Sequence, residues 1–297
     1  MSKVSVIIPS RNDSYLEQTV TGLLEGAAGD VEVIVVLDGP PWETELPKDR
    51  RIKVLCNERA GMRATINAGA AVAKGKYLLK CDEHCMFAAG WDETLKADCA
   101  DNWLVVPARY ALDAPNWQAF GEVVEAMFMV YPYLSPYRPK LTCRPWPERA
   151  RERKDYPVDE DMGFQGSAWF MTRKHWDRLG GLNEAGYGTF VSEPEELGLK
   201  TWLGPWDGAV IRNKRTWYAH WSKPQSHWRQ TPGYIGWVSE KEWWDGWAYS
   251  ADLWLHNRWP ERGHDFEWFV DKFWPIPHWP EDWLKRKYDR YKQATTR

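Results

Sequence analysis

The sequence contains no apolar run approaching the ~20 residues that a membrane-spanning helix needs. Its N-terminus, MSKVSVIIPSRND, lacks a basic stretch followed by an apolar core and a small-residue cleavage site. Cysteine is scarce. The five present (Cys56, Cys81, Cys85, Cys99, Cys143) are odd in number and share no repeating spacing. That excludes a disulfide framework and a zinc ribbon. The net charge of −3 gives no general pull toward nucleic acid or anionic lipid. No fixed-period repeat and no low-complexity tract occurs. Together these absences lead us to expect a reducing, cytoplasmic protein.

What is present is a globular composition. Apolar residues make up 43% of the 297, with charged residues interspersed, enough for one large domain or a domain with an appendage. Tryptophan is unevenly spread: of 22, two lie in 1–100, five in 101–200 and fifteen in 201–297. The shift marks a change of architecture toward the C-terminus. Residues 138–154, RPKLTCRPWPERARERK, carry seven basic residues against two acidic. That stretch reads as a solvated surface loop, with a phosphate-contacting loop as the alternative.

The first hundred residues alternate between two periods. VSVIIP (4–9), VEVIVVLDG (31–39), RIKVLC (51–56) and KYLLKCDEH (76–84) read as strands. SYLEQTVTGLLEGA (14–27) places Leu16, Val20, Leu23 and Leu24 at helical spacing, with Asp13 or Ser14 as cap. GMRATINAGAAVAKG (61–75) reads as a second helix. Continuous apolar strands alternating with helices imply a mostly parallel, Rossmann-like sheet flanked by helices. Ligands of such sheets sit beyond the carboxyl ends of the strands. Pro9-Ser10-Arg11, Asp38-Gly39 and Asp82-Glu83-His84 all fall there. Later elements are a strand at 103–110, an irregular 111–160, a strand running into a helix over 166–181, a helix over 192–204 capped by Ser192, and a strand over 208–221.

Asp82 and His84 stand at i and i+2, a spacing that directs both side chains to one side of an extended segment. A carboxylate with an imidazole suits a borderline divalent ion better than Ca²⁺. Such sparse ligation also suits an ion whose remaining partners are phosphate oxygens. Read alone, the tripeptide is explained better by a solvated polar turn than by a metal site.

The order of these motifs resembles the A-type nucleotide-sugar glycosyltransferases, particularly the polypeptide N-acetylgalactosaminyltransferases and the broad family-two transferases. Residues 59–95 carry a helix, a strand, Asp82-Glu83-His84, Cys85 and Gly90-Trp91 in the family's order. GSAWFMTRKHWDRLGGLNE, SEPEELGLKTW and WYAHW are similar to later family blocks, and the resemblance spans about 4–225. It implies a metal-dependent transfer from a nucleoside-diphosphate sugar, UDP-linked, to a hydroxyl of a glycan, protein or small molecule. Asp82, His84 and His220 would hold Mn²⁺ (or Mg²⁺). Pro9, Ser10, Arg11 and Asp38 would line the donor pocket, with Asp82 also at the donor. Glu193 would lie near the sugar and the acceptor.

Three positions depart from the family pattern. The arginine that reaches the diphosphate is replaced in Thr65-Ile66-Asn67, which leaves Arg63, on the same helix face, as a substitute or as a solvated residue. Pro194 stands where inverting relatives carry their base, so Glu193 or Glu195 takes over or the reaction is retaining; retention is the expectation. Val191-Ser192 replaces two glycines. We expect a catalytic domain over 1–222, with a nucleotide-binding half (1–100) and an acceptor half (101–222). A lid over 223–237 and a Trp-rich extension would complete the chain to 297, its tryptophans lining an acceptor groove or packing the tail onto the sheet. Two other functions fit the same fold: a non-catalytic carbohydrate binder, or a transferase acting on modified nucleic-acid bases. Nucleic acid is otherwise not an expected partner.

Overall fold

The computed structural model describes residues 2–11, 13–40, 45–58, 60–133, 140–223 and 239–287. Apart from Lys223, the lid expected over 223–237 lies outside them. The first strands and helices follow the alternation of the sequence: β1 (Val4–Ser10), α1 (Leu16–Gly26), β2 (Val31–Asp38), β3 (Ile52–Asn57), α2 (Met62–Val72) and β4 (Tyr77–Cys81). The four strands are parallel in the order β3-β2-β1-β4. Every residue of β2 is buried, as a strand covered on both faces requires. Helix α1 turns Leu16, Thr19, Val20, Leu23 and Leu24 inward at helical spacing.

The middle of the chain holds β5 (Cys85–Phe87), α3 (Trp91–Ala97), β6 (Trp103–Asp113), β7 (Gln118–Val124), β8 (Met127–Met129), β9 (Cys143–Pro145), α4 (Pro147–Glu152) and β10 (Val158–Glu160). The region read as irregular therefore contains three short strands, a seven-residue strand and a helix. Three-residue strands between prolines are too short to display a period of two, so the sequence hides them. The chain continues with β11 (Ala168–Thr172), α5 (Arg173–Leu179), α6 (Glu193–Leu203), β12 (Ala209–His220), α7 (Glu240–Leu255) and α8 (Phe266–Phe273). Here the sheet becomes mixed. β11 runs antiparallel to both β4 and β6, and β12 lies parallel to β6. β11 thus joins two parallel groups into one sheet, which is less uniformly parallel than the sequence suggests.

The basic 138–154 stretch is partly neutralised within the fold. Arg153 pairs with Asp159 at 2.6 Å, and Arg149 donates to the Glu160 carbonyl at 3.0 Å. Among the described residues, no helix is long and apolar enough to cross a membrane.

The Trp-rich C-terminal region packs onto the sheet. Trp254, Trp259, Trp279 and Trp283 are buried in the same core as the strands. The Trp279 indole N–H donates to the Met129 carbonyl at 2.7 Å, which fastens the tail to β8. Truncation of a buried, hydrogen-bonded indole leaves a cavity and an orphaned carbonyl. Trp279→Ala should therefore lower unfolding stability by about 3–5 kcal/mol in urea titrations. Trp274→Ala, at a side chain 40% exposed, should stay within about 0.5 kcal/mol of the parent.

Candidate metal centre

Strand β4 ends at Cys81, and Asp82-Glu83-His84 form the tight turn into β5. The tripeptide is a turn rather than a continued strand. Its backbone is held from three directions. Asp82 N–H donates to the Ser167 carbonyl (2.9 Å), the Thr19 hydroxyl donates to the Glu83 carbonyl (3.1 Å), and Trp221 N–H donates to the His84 carbonyl (3.2 Å). β5 pairs antiparallel with the end of β12, setting His220 opposite Cys85. That ladder brings a residue from far along the chain beside the turn.

The outcome is a convergence of three donors. His220 Nε2 lies 3.2 Å from Asp82 Oδ2 and 3.2 Å from His84 Nε2. The donor atoms of Asp82, His84 and His220 all lie within 4.8 Å of one another. Two ligands ~2.1 Å from one ion, meeting at roughly a right angle, are themselves about 3 Å apart. The separations therefore fit a shared cation. Burial depresses the His220 imidazole to about 4, with Asp82 pulling the other way, so at neutral pH it is the uncharged ligand form. Burial pushes the Asp82 carboxyl up, but Lys80 and His220 outweigh it and hold Asp82 ionised far below the usual carboxylate range.

Two contributors escaped sequence reasoning. Asp13, read only as a helix cap, does accept the Tyr15 N–H at 2.9 Å, but its other oxygen lies 3.2 Å from His84 Nδ1. A carboxylate on the second ring nitrogen orients an imidazole ligand and fixes its tautomer. Lys223 Nζ sits 2.5 Å from the same Asp13 oxygen and 3.7 Å from Glu83. Burial raises Asp13, but His84 and Lys223 bring it down to about 2. Glu83 accepts the Arg11 backbone N–H at 2.7 Å, and its carboxylate lies within 4.8 Å of donor atoms of Asp13 and His84, a second convergence beside the first. The second missed residue is Lys80, 1% exposed, whose ammonium contacts Asp82 Oδ1 (2.8 Å), the Gly166 carbonyl (2.5 Å) and Glu193 Oε2 (3.2 Å). An apolar strand context conceals a lysine two of whose three partners, Gly166 and Glu193, are distant in sequence.

The remaining expected residues divide. Pro9, Ser10 and Arg11 close β1 at the same sheet edge. Asp38 is buried, accepting Arg11 Nη2 at 2.6 Å and the backbone N–H groups of Ala60 (2.7 Å) and Gly61 (3.1 Å). Arg63 is engaged inside the fold. It donates to the carbonyls of Asn183 (2.7 Å) and Val191 (2.7 Å), pairs with Glu196, and lies 4.2 Å over the Tyr187 ring. Its guanidinium is thus committed to the 183–191 loop and the start of α6. Ser192 occupies the cap position of α6 with a left-handed backbone (φ 58°), but its hydroxyl makes no capping bond. Both oxygens of Glu193 are taken, one by the Trp169 indole N–H (2.6 Å) and one by Lys80. Glu195, two residues on and so on another face of the helix, hydrogen-bonds no other side chain among the described residues.

Comparison with known proteins places this architecture. The profile of Glycosyl transferase family 2 matches residues 5–177, more than half of the chain. The chain belongs to that family. Among related proteins, this family-2 chain is 27% identical to a putative polypeptide N-acetylgalactosaminyltransferase 13 of Drosophila melanogaster, over 68% of this chain and 39% of the relative. It is 24% identical to polypeptide N-acetylgalactosaminyltransferase 12 of Mus musculus, over 95% of this chain and 53% of the relative. The chain therefore spans about half, or less, of the curated relatives it matches. In structure it resembles GalNAc-T7, solved with UDP, GalNAc and Mn²⁺, at a TM-score of 0.67 and 18% identity, covering 98% of this chain and 55% of that one. The A-type glycosyltransferase fold expected from the sequence is the one observed.

Burial, opposed mainly by the Glu195 backbone N–H and Lys140, raises the Glu195 carboxyl to about 7. An acid whose folded pKa exceeds its unfolded value favours the folded state most below the unfolded value. Its contribution is lost as pH rises through about 4.5 to about 7. The loss of stability over that window should therefore be smaller in Glu195→Gln than in wild type by on the order of 3 kcal/mol. Denaturant titrations at pH 4.5 and pH 8 check the difference.

Proposed function

We propose that the protein is a metal-dependent glycosyltransferase, moving a sugar from a nucleoside-diphosphate sugar, UDP-linked, to a hydroxyl of a glycan, protein or small-molecule acceptor. The observation that carries this reading is the convergence of Asp82, His84 and His220 at the carboxyl edge of a family-2 sheet. Asp82, His84 and His220 would hold Mn²⁺ (or Mg²⁺), which when bound neutralises charge developing on the departing diphosphate. Pro9, Ser10, Arg11 and Asp38 are assigned to the nucleoside side, with Asp38 held ready by two backbone N–H groups.

The acceptor side is assigned to the start of α6. Pro194 offers no base, which supports a retaining course. Glu193 is assigned to the sugar side, where Lys80 and Trp169 hold its carboxylate in one orientation. Glu195, free of such ties and titrating near neutrality, is assigned to proton exchange on the acceptor side. The division into a catalytic region over 1–222 and a C-terminal extension belongs to the same reading. So does a cytoplasmic location, supported by five cysteines that form no disulfide.

A donor panel incubated with Mn²⁺ should show hydrolysis of, or transfer from, one UDP-sugar, and NMR of the product anomer should report retention. Asp82→Ala and His220→Ala should each reduce turnover by at least about 100-fold, and EDTA should abolish it. Full activity in EDTA, or unchanged turnover in both variants, would overturn the metal role. Stabilisation by glycans alone, with no response to UDP and Mn²⁺, would favour a non-catalytic carbohydrate binder.

A further inference from the structure

The diphosphate of such a donor needs positive charge beyond a metal ion; Arg11 is paired with Asp38, and the helix α2 positions considered from the sequence do not supply it. Ile66 occupies one position, and Arg63 is spent on carbonyls and Glu196. Another arginine is paired by the sheet with the strand that carries His220. Arg109 lies on β6, where its ladder partner on β12 is Tyr218, two residues before His220. Partners across a ladder, and residues two apart on a strand, share a face. Arg109, Tyr218 and His220 therefore rise from the same side of the sheet. The Tyr218 hydroxyl is bonded to Ser167 Oγ at 2.8 Å, and the Ser167 carbonyl in turn accepts the Asp82 N–H at 2.9 Å.

Arg109 also lacks what a structural arginine has. Its Nε is sealed from solvent without a hydrogen-bond partner. Among the described residues its guanidinium forms no ion pair and no hydrogen bond. Lys80, Arg63, Arg153 and Arg212, by contrast, all pair with carboxylates. A sequestered donor on a permanent cation is costly, and such an orphan calls for a partner. The backbone around it is irregular. The β6–β7 ladder shifts register between Arg109 and Ala111, with β7 carrying the extra residues near Gly121 at φ 78°. Bulges of this kind re-aim side chains beside functional sites. Charge balance names the partner's sign. Lys80 is already offset by Asp82 and Glu193, so a divalent ion on Asp82, His84 and His220 next to Arg109 leaves positive charge in excess.

We propose that Arg109 is a donor-binding residue of this site, its guanidinium fork taking phosphate oxygens of the nucleoside diphosphate. The inference rests on the donor reading above, and the chemistry it invokes is the bidentate match of guanidinium to phosphate.

Calorimetric titration of UDP and of uridine, each with Mn²⁺, tests it on wild type, Arg109→Met and Arg109→Lys. Arg109→Met should weaken UDP binding by about 10- to 100-fold and leave uridine binding unchanged. Arg109→Lys, which keeps the charge but not the fork, should fall between. Arg109→Gln serves in place of the Met variant should that one not fold. Equal losses for UDP and uridine would mark Arg109 as merely structural and overturn the proposal. Unchanged UDP affinity in Arg109→Met, with wild type binding UDP, would overturn it while leaving the donor reading intact. Failure of wild type itself to bind UDP with Mn²⁺ would overturn the donor reading beneath it.

Discussion

One buried ammonium connects the two halves of the site. Lys80 sits in the last turn of pleat on β4, sealed from solvent, with Asp82, Glu193 and the Gly166 carbonyl around it. Removing a charge from water costs several kcal/mol, and only a full set of acceptors offsets that. The three acceptors come from the turn after β4, the segment leading into β11, and α6. Asp82 is thereby kept ionised, with one oxygen committed to Lys80 and the other turned toward His220. Glu193 is fixed by the same cation. Two groups that the sequence separates by over a hundred residues share one electrostatic anchor.

How much of this was legible beforehand follows from the range of each signal. β1, β2 and β4 are continuous apolar runs with turn residues behind them, and α1 shows its period plainly, so the first hundred residues read well. Asp82, His84 and His220 were legible as donors because a family-like order of motifs surrounds them. Local periodicity carries no record of strand order, so the antiparallel insertion of β11 went unread, as did the three-residue strands. Asp13, Lys80 and Arg109 were missed for a related reason. Each has an ordinary local role: a cap, a strand lysine, a strand arginine. Contacts made by the folded chain, and not those local roles, bring them beside Asp82, His84 and His220.

The tryptophans illustrate the limits of composition. Fifteen of them in the final 97 residues allowed two readings, an acceptor groove or the packing of the tail onto the sheet. Several fill the core, as the packing reading has it. Trp202 packs against Phe269 and Phe273, and Trp279 stands between Phe266, Trp283 and Tyr131. Large aromatic side chains bury much area per residue. A C-terminal region made of short helices and turns can in that way adhere firmly to a sheet it does not extend. Bulk composition reports the amount of apolar surface and not the side of it that faces solvent.

The pairing of the three-residue β5 with the end of β12 has a consequence for how the protein assembles. His84 and His220 are 136 residues apart in the chain, so an ion shared between them would staple a very long loop. Closing such a loop is entropically costly, and the cost is met by the sheet before any ion arrives. The complete ligand set therefore comes into being only when β12 has docked, late in the chain's order. A metal bound there would favour the states in which β5 and β12 are paired. By mass action it would then hold that fold closed in proportion to its own concentration.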